Sequence, residues 1–432
     1  LAECGLAREI DLADGITQTD INGFLNPAAK LYLRGGADSD KYEIGLAGAG
    51  NAYIDVSENA PDTPATDLSI NSLSIYGTNQ SDYFLFRPGT INALALDANR
   101  NPLSGAGKEQ VRYGGSGLNI TMHGRRGDDV FIFDDTNAPM TVYGDEGNDT
   151  FQIGQVFQSP RDTLAGIDEP FPTIQTTLGY LSSGTHAPLT LLGGIGNDNF
   201  TVYHTEAELY LYGEEDDDSF RVRAFVKVDP NDPKKPVTIN GGQGADFIEY
   251  AVNAPINIEG GDGFDTLVVV GTEFGDDFVI TDKGIFGAGL PIRYGGLEKI
   301  TVDAMEGNDT FWIASSPENT QLELLGGLGS DTFNVAGGTA AGVPVTVVGK
   351  NLSGHSALVE NRIAAALSTD SDYEGLFVPD VSAIVADSDS PMAVVTSLQA
   401  PLRLIEGKKV SGNLIQLAYS VYLTKRPDEL LV

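Results

Sequence analysis

The chain has 432 residues, enough for a sizeable core, and carries 61 Asp and Glu against 26 Lys and Arg, a net charge of −35. That balance excludes nucleic-acid binding, which needs a basic footprint, and self-repulsion on this scale calls for neutralising cations. A single cysteine, Cys4, excludes an internal disulfide framework, and no run of 18 apolar residues offers a transmembrane helix, so no membrane insertion is expected. Cys4 reads as a buried free thiol. The start, LAECGLAREI, has neither a basic n-region nor an apolar h-region. The chain is therefore expected to be an internal piece of a larger protein.

Residues 1–30 are weakly patterned and read as a lead-in. From Leu31 a phrase repeats with the form U-x-U-x-G-G-x-G-x-D-x-U-x-U, U being apolar. Its clearest copies are LTLLGGIGNDNFTV at Leu189, INIEGGDGFDTLVV at Ile256 and LELLGGLGSDTFNV at Leu322. Alternating apolar residues give each strand one core-facing side, and the glycines permit positive φ and close backbone approach. Degenerate turns extend the series: GGADSD at Gly35, GTNQSD at Gly77, GRRGDD at Gly124, GDEGND at Gly144, GEEDDD at Gly213, GGQGAD at Gly241, GTEFGD at Gly271 and AMEGND at Ala304. Asp129 to Asp149 and Asp198 to Asp218 are 20 residues apart, Asp246 to Asp265 is 19, and Asp309 to Asp331 is 22. The gaps Asp40 to Asp82 and Asp265 to Asp309 read as two periods. A period near 20 predicts an all-β parallel β-solenoid, a β-roll or β-helix with about 20 residues per coil. It is expected over residues 31–348. With one motif per coil, only one edge is expected to carry aspartates. Residues 51–66, 92–117, 155–188 and 227–236 read as loops leaving the solenoid. After each turn aspartate, positions +2 and +4 are apolar, as in Phe151 and Ile153, Phe200 and Val202, or Phe333 and Val335. These predict an internal phenylalanine ladder.

The turns resemble the RTX calcium-binding repeat of secreted bacterial proteins. The resemblance covers roughly residues 30–340, although GTNQSD, GRRGDD and GEEDDD lack the second glycine. It implies Ca2+ held between turns of neighbouring coils. Calcium takes six to eight oxygens, more than one turn supplies, so adjacent turns must share an ion. The expected ligands are Asp129 with Asp149, Asp198 with Asp218, Asp246 with Asp265, and Asp309 with Asp331.

Residues 349–385 lose the period and read as a capping or linker region, with NRIAAALSTD (361–370) as a short helix. From residue 386, DSDSP at Asp387, LIEG at Leu404 and YSVYLTKRP at Tyr419 resemble the opening strands of a Calx-beta domain. That implies a partial immunoglobulin-like β-sandwich over 386–432.

No two of His123, His186, His204 and His355 have zinc-ligand spacing, and no G-x-S-x-G elbow is present. Acidic pairs such as Asp128/Asp129 belong to the periodic turns rather than to a glycosidase pair. No catalytic residues are assigned, and the protein is not expected to be an enzyme. The expected function is structural: a calcium-binding stalk, fibre, surface-layer or adhesin element, secreted or at the cell surface. Its expected partners are copies of itself, other extracellular surface or matrix proteins, or glycans. The alternatives are a β-helix enzyme acting on acidic polysaccharide, with Arg125, Arg126, Arg221 and Arg223 as candidate substrate-neutralising groups, and a ligand-binding adhesin.

Overall fold

A computed structural model describes residues 8–11, 19–22, 30–34, 39–48, 52–57, 71–97, 102–103, 108–114, 118–154, 171, 173–176, 179–226, 237–251, 255–287, 290–335, 345–351, 354–359, 381–386, 393–395, 409–410, 413–414 and 421–423. Cys4 and the 361–370 helix prediction lie outside them. The described residues are all-β, with no helix, and most strands pair in parallel. The expected β-solenoid is the observed fold. The chain divides into two compact units, Leu1–Asp246 and Phe247–Val432.

In the first unit the chain winds alternately through two sheets. Leu118–Arg126 pairs in parallel with Met140–Glu146, that strand with Leu189–Ile195, and that in turn with Leu209–Glu215. The opposite sheet stacks Val130–Phe133, Thr150–Ile153, Asn199–Thr205 and Ser219–Val226. The register is the sequence repeat itself: Ile120 faces Met140 and Leu189 faces Leu209, one 20-residue coil apart. Inserted chain hides the same coil step elsewhere, so Met140 faces Leu189 and Leu209 faces Val237.

Period-two alternation sends the apolar set inward. Phe84, Phe131, Phe151, Phe200 and Phe220 are fully buried and stack, with ring centroids 4.7–5.2 Å apart. In the second unit Phe278, Phe311 and Phe333 stack at 5.2 and 4.8 Å. Phe333, at the end of that ladder, is only partly buried. Each fully buried ring contributes roughly 2–3 kcal/mol of burial, and none could be buried by its own coil alone.

Three expectations are corrected. The lead-in already pairs as solenoid, Arg8–Asp11 with Lys30–Arg34 and Thr19–Asn22 with Lys41–Gly45. Residues 53–57, read as part of a loop, form a parallel strand between Lys30–Arg34 and Lys108–Gly114. Within the excursion expected after residue 92, the described strands pair in a sheet: Tyr83–Arg87, Thr90–Leu94 and Lys108–Gly114 make an antiparallel meander. The second unit has a matching meander, Asp277–Thr281, Gly284–Gly287 and Leu290–Gly295. Turn residues Pro88-Gly89 and Asp282-Lys283 explain the first reversal of each meander.

Toward the C-terminal end the described residues form short antiparallel pairs: Gly354–Val359 with Val381–Ala386, Ala393–Val395 with Val421–Leu423, and Lys409–Val410 with Asn413–Leu414.

Candidate metal centre: the aspartate columns

The turn aspartate is the first inward residue of the strand that follows it. In the copy at Leu189, the side chains of Leu189 and Leu191 face inward before the turn, and Asp198, Phe200 and Val202 after it. Gly193 lies across from Asp198, where the two sheets converge at the edge. A Cβ on Gly193 would collide with the Asp198 carboxylate, so glycine is what makes room for it. Asp129, Asp149, Asp198, Asp218 and Asp246 are all at most 1% exposed.

Stacking turns these residues into a column. The Asp129 amide donates to Asp149 Oδ1 at 2.7 Å, Asp149 to Asp198 at 2.7 Å, Asp198 to Asp218 at 2.7 Å and Asp218 to Asp246 at 2.8 Å. Asp82 begins the series by donating to Asp129 Oδ1 at 2.7 Å. Each carboxylate thus serves an amide that the turn leaves unpaired.

A second ladder runs beside it, one residue earlier and exposed. There the Asn148 amide donates to Asp128 Oδ1 at 3.0 Å, Asn197 to Asn148 at 2.8 Å, Asp217 to Asn197 at 3.1 Å and Ala245 to Asp217 at 2.7 Å. In the buried ladder the acceptor belongs to the following coil, in the exposed one to the preceding coil. The turns of Asp129, Asp149, Asp198 and Asp218 are therefore held from both sides. The Asn-Asp pair in GDEGND and GGIGND supplies one acceptor to each ladder.

The turn conformation survives loss of its second glycine. Arg125, Asp145, Glu214 and Met305, all at that position, hold φ between 69 and 83°. This left-handed region costs a non-glycine residue of order 1 kcal/mol. Stacking compels it in spite of the cost.

Of the eight expected ligands, the structure brings together Asp129 with Asp149, Asp198 with Asp218, and Asp309 with Asp331, whose bond is 3.1 Å. Asp246 belongs to the first unit and Asp265 to the second. The 20-residue rule missed the neighbours Asp149/Asp198 and Asp218/Asp246, because inserted chain separates them in sequence but not in the stack. It also missed Asn71, which accepts from the Asp40 amide at 2.7 Å, and Glu298, which accepts from Asp265 at 2.7 Å.

Both edges carry columns, contrary to the one-edge expectation. In the first unit Asp40 and Asn71 lie on turns that cross between the sheets in one direction, and Asp82 to Asp246 on turns that cross back. In the second unit Asp265 and Glu298 occupy one edge, and Asp276, Asp309 and Asp331 the other, where Asp276 donates to Asp309 Oδ1 at 2.7 Å. Asp40 and Asp82 are therefore not two coils apart on one edge, and neither are Asp265 and Asp309.

The electrostatics are unfavourable as they stand. Burial, with repulsion from neighbouring acids, pushes Asp129, Asp198 and Asp218 up to about 9, and Asp149 and Asp309 up to about 7. The Oδ2 atoms of Asp129, Asp149, Asp198 and Asp218 are buried and have no hydrogen-bond partner. Beside them sits the carbonyl of the first glycine of the next coil: Gly144 for Asp129, Gly193 for Asp149, Gly213 for Asp198 and Gly241 for Asp218. Each gap thus pairs an unsatisfied carboxyl oxygen with a carbonyl, and hard oxygen donors of this kind suit calcium. No cluster of three or more Asp, Glu, His or Cys side chains suited to a metal occurs among the described residues, so backbone oxygens would have to complete any site.

The other edge of the first unit carries a polar group that sequence reasoning missed. His186 Nδ1 lies 2.7 Å from Asp135 Oδ1 and its Nε2 3.4 Å from Glu206 Oε2. The buried pair Arg87–Asp134, at 3.2 Å, adjoins Asp135 in sequence. These residues come from successive coils with no shared spacing. Of the four candidate arginines, Arg125 lies over the Tyr76 ring, Arg126 pairs with Glu146 at the surface, and Arg221 and Arg223 lie in the strand Ser219–Val226.

Comparison with protein-family models, with curated proteins and with solved structures finds no match for this chain.

Proposed function

We propose that this chain is an architectural segment of a large secreted or cell-surface protein, an RTX-like β-solenoid stiffened by calcium along its aspartate columns. The observation that carries the reading is the unpartnered Oδ2 row of Asp129, Asp149, Asp198 and Asp218. Carboxylates stacked at strand spacing, about 4.8 Å apart, need positive charge between them, and the net charge of −35 sharpens that need. Calcium at these gaps would be held by the Oδ2 atoms with the facing glycine carbonyls, and would supply charge neutralisation and crosslinking of coils. The two hydrogen-bond ladders support a spacer role, since they commit the amides of these turns to neighbouring coils. Assembly with copies of the same chain or with other surface proteins fits such a part.

The test is a calcium titration of the full chain by calorimetry, with melting curves in chelator and in millimolar calcium. Binding should raise the melting temperature by mass action. Absence of heat and identical melting curves would remove calcium from the reading and leave the aspartates as turn-formers alone.

A further inference from the structure

On the outer face of one sheet of the second unit, alternate residues break the rule that outward positions are polar. Val279 on Asp277–Thr281 pairs across to Phe286 on Gly284–Gly287 and to Trp312 on Thr310–Ile313. Phe286 pairs in turn with Pro291. Trp312 is 52% exposed, Val279 38% and Phe286 36%. The result is a straight apolar stripe, one residue wide, crossing four adjacent strands. At about 4.8 Å per strand it is about 15 Å long. Polar side chains border it: Asp277 and Thr310 on one side, Thr281 and Arg293 on the other.

We infer that this stripe is a docking platform for a linear, uncharged polysaccharide. A second copy of the chain does not suit it. The three exposed side chains offer about 250 Å² together, while a stable interface needs about 800 Å² per partner. The net charge of −35 excludes an anionic polymer. A sugar chain matches the shape. The C–H face of a pyranose ring packs flat on an indole or phenyl ring, and its equatorial hydroxyls project sideways toward hydrogen-bonding groups. The stripe offers Trp312 and Phe286 two strands apart, about 10 Å, with Val279 filling the step between. That spacing suits alternate residues of an extended chain. This inference stands independently of calcium, since none of these side chains belongs to an aspartate column.

The experiment uses a built-in reporter: Trp312 is the only tryptophan in the chain. Intrinsic fluorescence of the full chain is followed during titration with cellohexaose, chitohexaose and mannohexaose, and with oligogalacturonate as the anionic control. At least one neutral hexasaccharide should shift or quench the emission, and oligogalacturonate should not. Retention on the matching insoluble polysaccharide should fall at least tenfold for Trp312→Ala and severalfold for Phe286→Ala. Trp312→Phe should keep most of it. Trp312 is half exposed, so Trp312→Ala should melt with the parent. Silence of the emission with all three neutral sugars overturns the inference. So does equal response to oligogalacturonate, or unchanged retention in Trp312→Ala. A dimer in sedimentation that Trp312→Ala abolishes overturns it in favour of a second copy.

Discussion

Asp198→Asn separates the two ways in which the column can be neutralised. The amide keeps the Oδ1 acceptor that holds the Asp149 N–H at 2.7 Å. It replaces the unpartnered Oδ2 with an N–H donor beside the Gly213 carbonyl. In chelator at pH 7 the native carboxyl, pushed up to about 9 by burial and then by Asp149, must be folded as the acid. The unfolded chain has no such demand at its usual 3.8. At about 1.4 kcal/mol per pH unit, holding that proton at pH 7 costs about 4 kcal/mol. Part of the shift is repulsion that relaxes once neighbours protonate, so the substitution should stabilise by about 2–4 kcal/mol. For a unit of this size that is roughly 5–10 °C in melting temperature. In millimolar calcium the asparagine lacks the anionic ligand, and the order should reverse. Scanning calorimetry of both proteins in both buffers checks this. Equal stabilisation with and without calcium would show that protons alone neutralise the column. A loss of stability in chelator would refute the buried, unpaired placement of Asp198 itself.

The raised acids also fix the direction of pH dependence. Their stabilising contribution is fully present below the unfolded value near 3.8 and is lost as pH rises through about 7 to 9. In chelator the melting temperature should therefore fall between pH 5 and 9.5, and a rise over that range would count against the column. Phe151→Ala, at a fully buried rung, should cost about 3–5 kcal/mol in urea melts. Phe333→Ala should cost clearly less, because that ring is only partly buried; equal losses would misplace the end of the ladder. Gly196 has φ +129°, and a Cβ added there would collide with the Gly147 carbonyl of the preceding coil. Gly196→Ala should therefore destabilise markedly, whereas Glu214→Gly, which relieves a φ of 83°, should be neutral or stabilising. Thermal melts that rank the two the other way would remove stacking as the reason for the glycines.

Much of the fold was legible because a 20-residue repeat with inward +2 and +4 residues leaves few ways to bury its face. The strands around Phe131, Phe151, Phe200 and Phe220 follow directly from it. What failed was the conversion of sequence distance into distance in the stack. Asp149 and Asp198 are adjacent because the strands that flank them pair directly despite 49 residues of separation, and nothing in the spacing says so. The exposed Asn148–Asn197 ladder was visible only as repeated N-D pairs, whose two acceptors serve opposite neighbours. The Asp135–His186–Glu206 group carried no signal, since its members share no motif. The Trp312 stripe did have one: apolar residues at outward positions of DFVIT and TFWI, where the period calls for polar ones.

The change of edge was also written in the chain, as a half-period. Asn71 and Asp82 are 11 residues apart, and so are Asp265 and Asp276. Eleven residues is half a coil, so each pair places one column residue on each edge. The second turn of each pair is built alike, G-T-x-x-x-D. The Thr78 amide donates to Asp82 Oδ2 at 2.6 Å, and the Thr272 amide to Asp276 Oδ2 at 2.8 Å. These two turns satisfy internally the oxygen that Asp129, Asp149, Asp198 and Asp218 leave without a partner. Each is followed at once by a reversing hairpin, FLFRPGTINAL or DFVITDKGIFG. The antiparallel meander adds strands to one sheet without a counterpart in the other. When parallel winding resumes, the motif continues on the new edge. A column that begins at such a turn starts with a self-capped carboxylate, and its need for positive charge begins one coil later. The first calcium gap on either switched edge should therefore lie beyond Asp82 and beyond Asp276. Asp82→Asn should accordingly leave calcium affinity unchanged where Asp198→Asn lowers it, and calorimetric titration of the two variants decides the point. Equal losses of affinity would mean that the Thr78 cap does not spare Asp82 from the column.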